Sequence, residues 1–177
     1  MKKVLVFIIS GSVGVGKTSV AEEISEILKS KSIPHAYVDL DNLSHAYPRP
    51  QKDPFHFTLG MKNLTAVWRN FKELGVKILI IPHVFEDRAE LDDFHKAIPN
   101  AEIQVVGLRA KLETIHNRLK KRDTGSQLEW HLNRATVLAK QFDQNQVEDF
   151  IVNTDEKSAH EVAEDIISLS GLLKSLD

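Results

Sequence analysis

Eight residues near the start of the chain, Gly11-Ser12-Val13-Gly14-Val15-Gly16-Lys17-Thr18, constrain its fold more tightly than any other stretch. Glycines at this spacing permit backbone angles that let successive N–H groups converge on one anion. A continuous apolar, β-branched run, Val4–Ile9, precedes them. A helical pattern with Val20, Ile24, Ile27 and Leu28 on one face follows. Strand, glycine loop and helix in that order make a phosphate-binding loop, or P-loop, for a nucleoside triphosphate. Residues Gly11, Ser12, Val13, Gly14, Val15 and Gly16 supply its backbone, Lys17 reaches the β- and γ-phosphates, and the Thr18 hydroxyl can ligate Mg²⁺. Ser19, in the first helical turn, can donate to the α-phosphate.

The rest of the chain alternates strand and helix. Apolar runs at His35–Leu40, Val76–Ile81, Ile103–Leu108 and Phe150–Val152 read as further strands. Between them lie amphipathic patterns: Leu64, Val67, Trp68, Phe71 and Leu74 ended by Gly75; then Ala89, Leu91, Phe94 and Ile98. Next come Leu112, Ile115 and Leu119, and after a break at 123–126 the series Leu128, Leu132, Ala135, Leu138, Ala139 and Phe142. Ser158 with Glu161 reads as a capping box opening a last helix that carries Val162, Ile166 and Ile167. Residues 43–60, with Pro48, Pro50 and Pro54, read as an irregular covering segment. Such alternation predicts an α/β fold of three layers, one parallel sheet with helices on both faces, in a single domain spanning 1–177.

Composition narrows the function classes. At 177 residues the chain suits one domain, and its net charge of −2 gives no long-range attraction to nucleic acid or anionic membrane. It contains no cysteine, which excludes disulfides, cysteine–zinc sites and thiol nucleophiles and fits a cytoplasmic setting. The basic start and the apolar run after it read as a buried first strand rather than a signal peptide, because glycines and Lys17 follow instead of a cleavage site. No stretch approaches the ~20 apolar residues of a membrane span.

Ligands of open α/β sheets sit beyond the carboxyl ends of the strands. Asp39 and Asp41, at the end of the second strand, should therefore face the phosphate loop. Either can accept a proton from a substrate hydroxyl or support Mg²⁺, and either can instead cap the following helix, a reading to which Asp41 is the more open. Taken together, the P-loop, the Asp-x-Asp and the chain length resemble the small P-loop kinases, which include shikimate, gluconate and adenylylsulfate kinases and chloramphenicol phosphotransferase. The resemblance implies sheet order 2-3-1-4-5 and transfer of the ATP γ-phosphoryl group to a small-molecule acceptor, by a monomer or homodimer. It also implies a lid, here 118–130, in which Arg118 and Arg122 close over the nucleotide, and an adenine-binding loop at 153–158 with Asn153, Thr154 and Asp155. A substrate-covering segment would occupy 43–71, with Asp41 and Arg49 toward the acceptor; the rigid Pro48-Arg49-Pro50 setting presents that guanidinium at little entropic cost.

Three features depart from the resemblance. The third strand ends Ile80-Ile81-Pro82-His83, with no acidic residue before Glu86 and Asp87, so Mg²⁺ support falls to Thr18 with Asp39, Glu86 or water. The Gly-Gly-Gly turn of shikimate kinases is missing, and 43–71 carries no known acceptor signature. His83 is the alternative base to Asp39, Arg69 and Arg88 are further candidate cations, and His45 and His56 are cleft candidates. A nucleotide-binding regulatory NTPase without an acceptor is the competing reading.

Overall fold

The computed structural model describes residues 3–172. Met1, Lys2 and the end of the 1–177 domain lie outside the described residues. Five parallel strands, β1 (Val4–Ser10), β2 (His35–Tyr37), β3 (Ile78–Pro82), β4 (Ala101–Arg109) and β5 (Phe150–Asn153), form one sheet of order β2-β3-β1-β4-β5. Period-two alternation along the central strands feeds two cores. Phe7, Ile9, Ile78 and Ile80 face one side, while Val6, Ile8, Leu79 and Ile81 face the other. Helices α1 (Lys17–Ser30), α5 (Leu112–Arg122) and α7 (Ala159–Leu169) cover the first side through residues such as Ile24, Ile115 and Ile166. On the second side lie α3 (Phe57–Glu73) and α4 (Glu90–Ala97), with Leu64 and Phe94, while α6 (Gly125–Asn145) serves both cores, giving Ala135 to the first and Leu138 to the second. Three layers and the 2-3-1-4-5 order agree with expectation.

Two boundaries differ from the sequence reading, each through a carboxylate. The second strand stops at Tyr37 rather than Leu40, because Asp39 caps a short helix, α2 (Leu40–Leu43), accepting the Asp41 N–H at 2.9 Å. Helix α3 begins at Phe57, inside the stretch read as irregular. The Asp53 carboxylate accepts the Phe57 and Thr58 N–H groups at 2.8 and 3.0 Å, supplying orphan donors of the first turn with a partner. The Ser158–Glu161 capping box is present as read. Among the described residues no helix is long and apolar enough to cross a membrane.

Candidate active site

The P-loop joins β1 to α1, and its glycines are needed for two different reasons. Gly11 (φ 144°) passes so close to β4 that a Cβ would stand 2.7 Å from the Leu108 carbonyl oxygen. Gly14 (φ 82°) is packed under α5, where a Cβ would meet Leu119 Cγ at 2.8 Å. Gly16 (φ 111°) is the N-cap of α1 and offers no side-chain partner to the helix, so first-turn N–H groups and the positive dipole end are left for an anion. Lys17 folds back to donate from Nζ to the Ser12 carbonyl at 3.1 Å. Burial pushes its ammonium down to about 8; Asp41 and Asp39 oppose the shift, whereas Arg122 and Arg134 reinforce it. Two carboxylates at the start of α2 and one guanidinium each from α5 and α6 thus lie within electrostatic reach of one lysine.

Two adjoining cavities run along one side of the loop. The first, of about 250 Å³, is lined by Gly14, Gly16, Lys17, Thr18, Ser19, Arg118, Leu119 and Arg122. The second, also about 250 Å³, shares Gly16, Ser19 and Arg118 and continues to Thr154 and Lys157. Arg118 joins them: it donates to the Val15 carbonyl at 2.9 Å, to Thr154 Oγ1 at 2.9 Å and to the Thr154 carbonyl at 2.8 Å. A cation arriving by lid closure was expected here. Arg118 is instead already bonded, because α5 carries it directly over the loop. Arg122 is the exposed member of the pair, held by the buried Asp123 carboxylate, which also accepts from His131 Nδ1 at 2.7 Å. Those partners, Arg122 foremost, hold the Asp123 carboxyl at about 2.

Of the expected base-contacting residues, Thr154 lines the cavity. The side chains of Asn153 and Asp155 serve the local backbone: Asn153 accepts the Asp155 N–H, and Asp155 accepts the Lys111 N–H.

On the other side of the loop lies a cavity of about 440 Å³. Val13 of the P-loop and Asp41 border it; Ser44, His45, Arg49, Phe55 and Phe57 form one wall, and Glu86, Glu90, Trp130, His131 and Arg134 another. Asp41 and Arg49 are therefore on the same cavity, as the sequence suggested. Asp39 takes the capping role for which Asp41 was the favoured candidate, since the helix begins two residues earlier. The Tyr37 phenol is pushed up to about 12, by burial first and then by the neighbouring Asp39 and Glu22 carboxylates. His83 Nε2 meets Glu90 Oε2 at 2.8 Å, and its ring stacks on Phe57 with centroids 5.7 Å apart. Its other ring nitrogen, Nδ1, is buried without a partner, so as a base His83 has no ring nitrogen both free and accessible. His45 lines the cavity, whereas His56 is buried beside it as the N-cap of α3. Arg69 and Arg88 are not on its walls, and Arg88 pairs with Asp149 at 2.9 Å.

No family model matches the sequence, and no curated protein matches it. Solved structures do. The chain is similar to the tunicamycin resistance protein of Deinococcus radiodurans (TM-score 0.68, 20% identity, 96% of each chain covered). It is also similar to an APS kinase of Mycobacterium tuberculosis in complex with AMPPNP and APS (TM-score 0.63, 17% identity, 97% of this chain and 99% of that one). A third is a gluconokinase of Sinorhizobium meliloti 1021 (TM-score 0.61, 16% identity, 98% of this chain and 95% of that one). The chain has the fold of the small P-loop kinases.

Within that P-loop kinase fold, several residues escaped the sequence reading. Arg134 is the main one. It comes from the third turn of α6, past the expected lid, yet lies within reach of Lys17, pairs with Glu86 and rests over the Phe55 ring at 5.7 Å. Its only sequence signal was a charge on the polar side of an amphipathic pattern. Glu86, one of the candidates for metal support, is engaged by that pair. Among the described residues no group of three or more His, Cys, Asp or Glu side chains could hold a metal ion by itself. A sparse set of hard oxygen donors, the exposed Thr18 hydroxyl and the Asp39 carboxylate, fits Mg²⁺, which keeps several waters and binds largely through phosphates.

Proposed function

We propose that the chain is an ATP-dependent phosphotransferase acting on a hydroxyl of a small molecule. The observation that carries this reading is the position of the P-loop between two spaces, with Lys17 flanked by Arg122 on the nucleotide side and Asp41 on the other. Gly11 to Gly16 and Ser19 hold the phosphates through backbone and first-turn donors, while Lys17 and Arg122 stabilise charge on the transferring group. Asp41 orients the acceptor hydroxyl and takes its proton as the new oxygen–phosphorus bond forms and the bond to the ADP oxygen breaks. Thr18 and Asp39 would hold Mg²⁺, which supplies charge neutralisation at the phosphate oxygens. Arg118 fixes the loop that lines the base side, and Arg49 stands at the acceptor mouth.

The test is calorimetric titration with a non-hydrolysable ATP analogue, followed by assay of ADP release with and without added hydroxyl compounds. Wild type should bind the analogue and release ADP in an acceptor-dependent way. Lys17→Ala should lose both properties, and tight binding by that variant would overturn the role given to the loop. ADP release indifferent to every acceptor would favour the regulatory NTPase.

A further inference from the structure

The walls of the larger cavity define a chemical class. Much of its lining is apolar: Phe55, Phe57, Trp130, Val13 and Val84 contribute to it. Phe55 is 55% exposed and Trp130 50% exposed; Arg134 covers one face of Phe55 and His131 meets Trp130 edge-on, but neither ring packs in either core, so each keeps open aromatic surface on this space. Open aromatic faces around a cavity of this size suit a planar or apolar ring, since roughly 300–1,000 Å³ is the usual range for small-molecule sites.

The charges point the same way. Asp41, Glu86 and Glu90 put three carboxylates on the lining, against Arg49 and Arg134. Arg134 is already paired with Glu86, and Glu90 is hydrogen-bonded to His83. Among the described residues, Arg49 has no ion-pair partner, but it is exposed at the rim, where water screens it. A carboxylate carried into this cavity would meet like charge with no free cation at depth to offset its desolvation.

Resting on the phosphotransferase reading, we infer that the acceptor is a neutral, ring-bearing alcohol rather than a compact polyhydroxy acid. The ring lies among Phe55, Phe57 and Trp130, and the hydroxyl is directed to Asp41.

Trp130 makes this measurable without turnover, because the chain has two tryptophans and the other, Trp68, is buried in the core. Uridine and phenyl β-D-glucoside would be titrated against D-gluconate and shikimate, with the nucleotide site saturated by an ATP analogue. Tryptophan emission is followed in wild type and in Trp130→Phe, and ADP release from ATP is assayed in parallel. The expected result is a saturable change with the ring-bearing probes at about millimolar concentration, absent in Trp130→Phe. Phe55→Ala should weaken that binding about 2- to 10-fold with ATP-analogue affinity unchanged. Ring probes that change the emission without supporting ADP release would uphold the acceptor class while counting against phosphoryl transfer. Gluconate- or shikimate-dependent ADP release would uphold transfer and overturn the class. Absence of any Trp130 response to the ring probes would also overturn it.

Discussion

Asp39 commits one carboxylate oxygen to the Asp41 N–H, whereas the Asp41 carboxylate is exposed on the acceptor cavity and within reach of Lys17. Asp41→Asn should therefore lower acceptor-dependent turnover about 10²–10⁴-fold with ATP affinity nearly unchanged. Asp39→Asn preserves the cap, since Asn caps as well as Asp, and should chiefly raise the Mg²⁺ concentration needed for half-maximal rate. Steady-state kinetics on both variants decides the assignment: a larger loss of turnover in Asp39→Asn would move the base to that residue. Lys17 carries the pH dependence. Its ammonium is lowered to about 8 in the free protein, and a bound triphosphate favours the charged form. ATP affinity should therefore be full below about pH 8 and fall as pH rises through that value, with protons taken up on binding near it. Titration calorimetry in two buffers of different ionisation enthalpy measures that uptake.

At the scale of elements, α5 acts as a brace for the phosphate loop. Leu119 closes on Gly14 from above, and Arg118 bonds both Val15 and the segment after β5. Arg118→Ala removes three donor contacts at once and takes its donor from the Thr154 carbonyl, while the Val15 carbonyl keeps only the longer bond from Thr154 Oγ1. Unfolding in urea should show a loss of about 1.5–3 kcal/mol, accompanied by weaker ATP binding. Arg118→Lys should restore little of either, because one ammonium cannot reproduce the planar fork. Full recovery by lysine would mean that Arg118 acts through charge alone. The α5–α6 corner depends in turn on Asp123, which ties Arg122 to His131 across the junction.

For the whole molecule, nucleotide binding and stability are linked through the sheet that carries the loop. A ligand bound only by the folded chain contributes about 2.7 kcal/mol at 100 times its Kd. For a chain of this size that corresponds to a rise in Tm of about 5–10 °C. Thermal melts with ATP and Mg²⁺ should show this shift in wild type and lose most of it in Lys17→Ala. An equal shift in both proteins would locate binding away from the P-loop.

Features with a local or periodic signature could be read from the chain. The P-loop residues, the parallel α/β alternation and the capping box were legible because backbone angle, side-chain period and helix caps are set by neighbours a few residues apart. Asp41 and Arg49 could be nominated from strand-end position and proline rigidity. Which aspartate caps α2 was decided only by where the helix starts, a two-residue difference beyond the reach of propensity. The tertiary structure alone revealed Arg134 and Trp130 on the larger cavity, paired Glu86 with Arg134, and tied Arg118 to Val15 and Thr154. Those contacts join residues 36 to 103 positions apart, among them the pair that ties α6 to the segment after β3. The packing of helices across the sheet creates them, and no local pattern in the chain records which polar side chain will meet which.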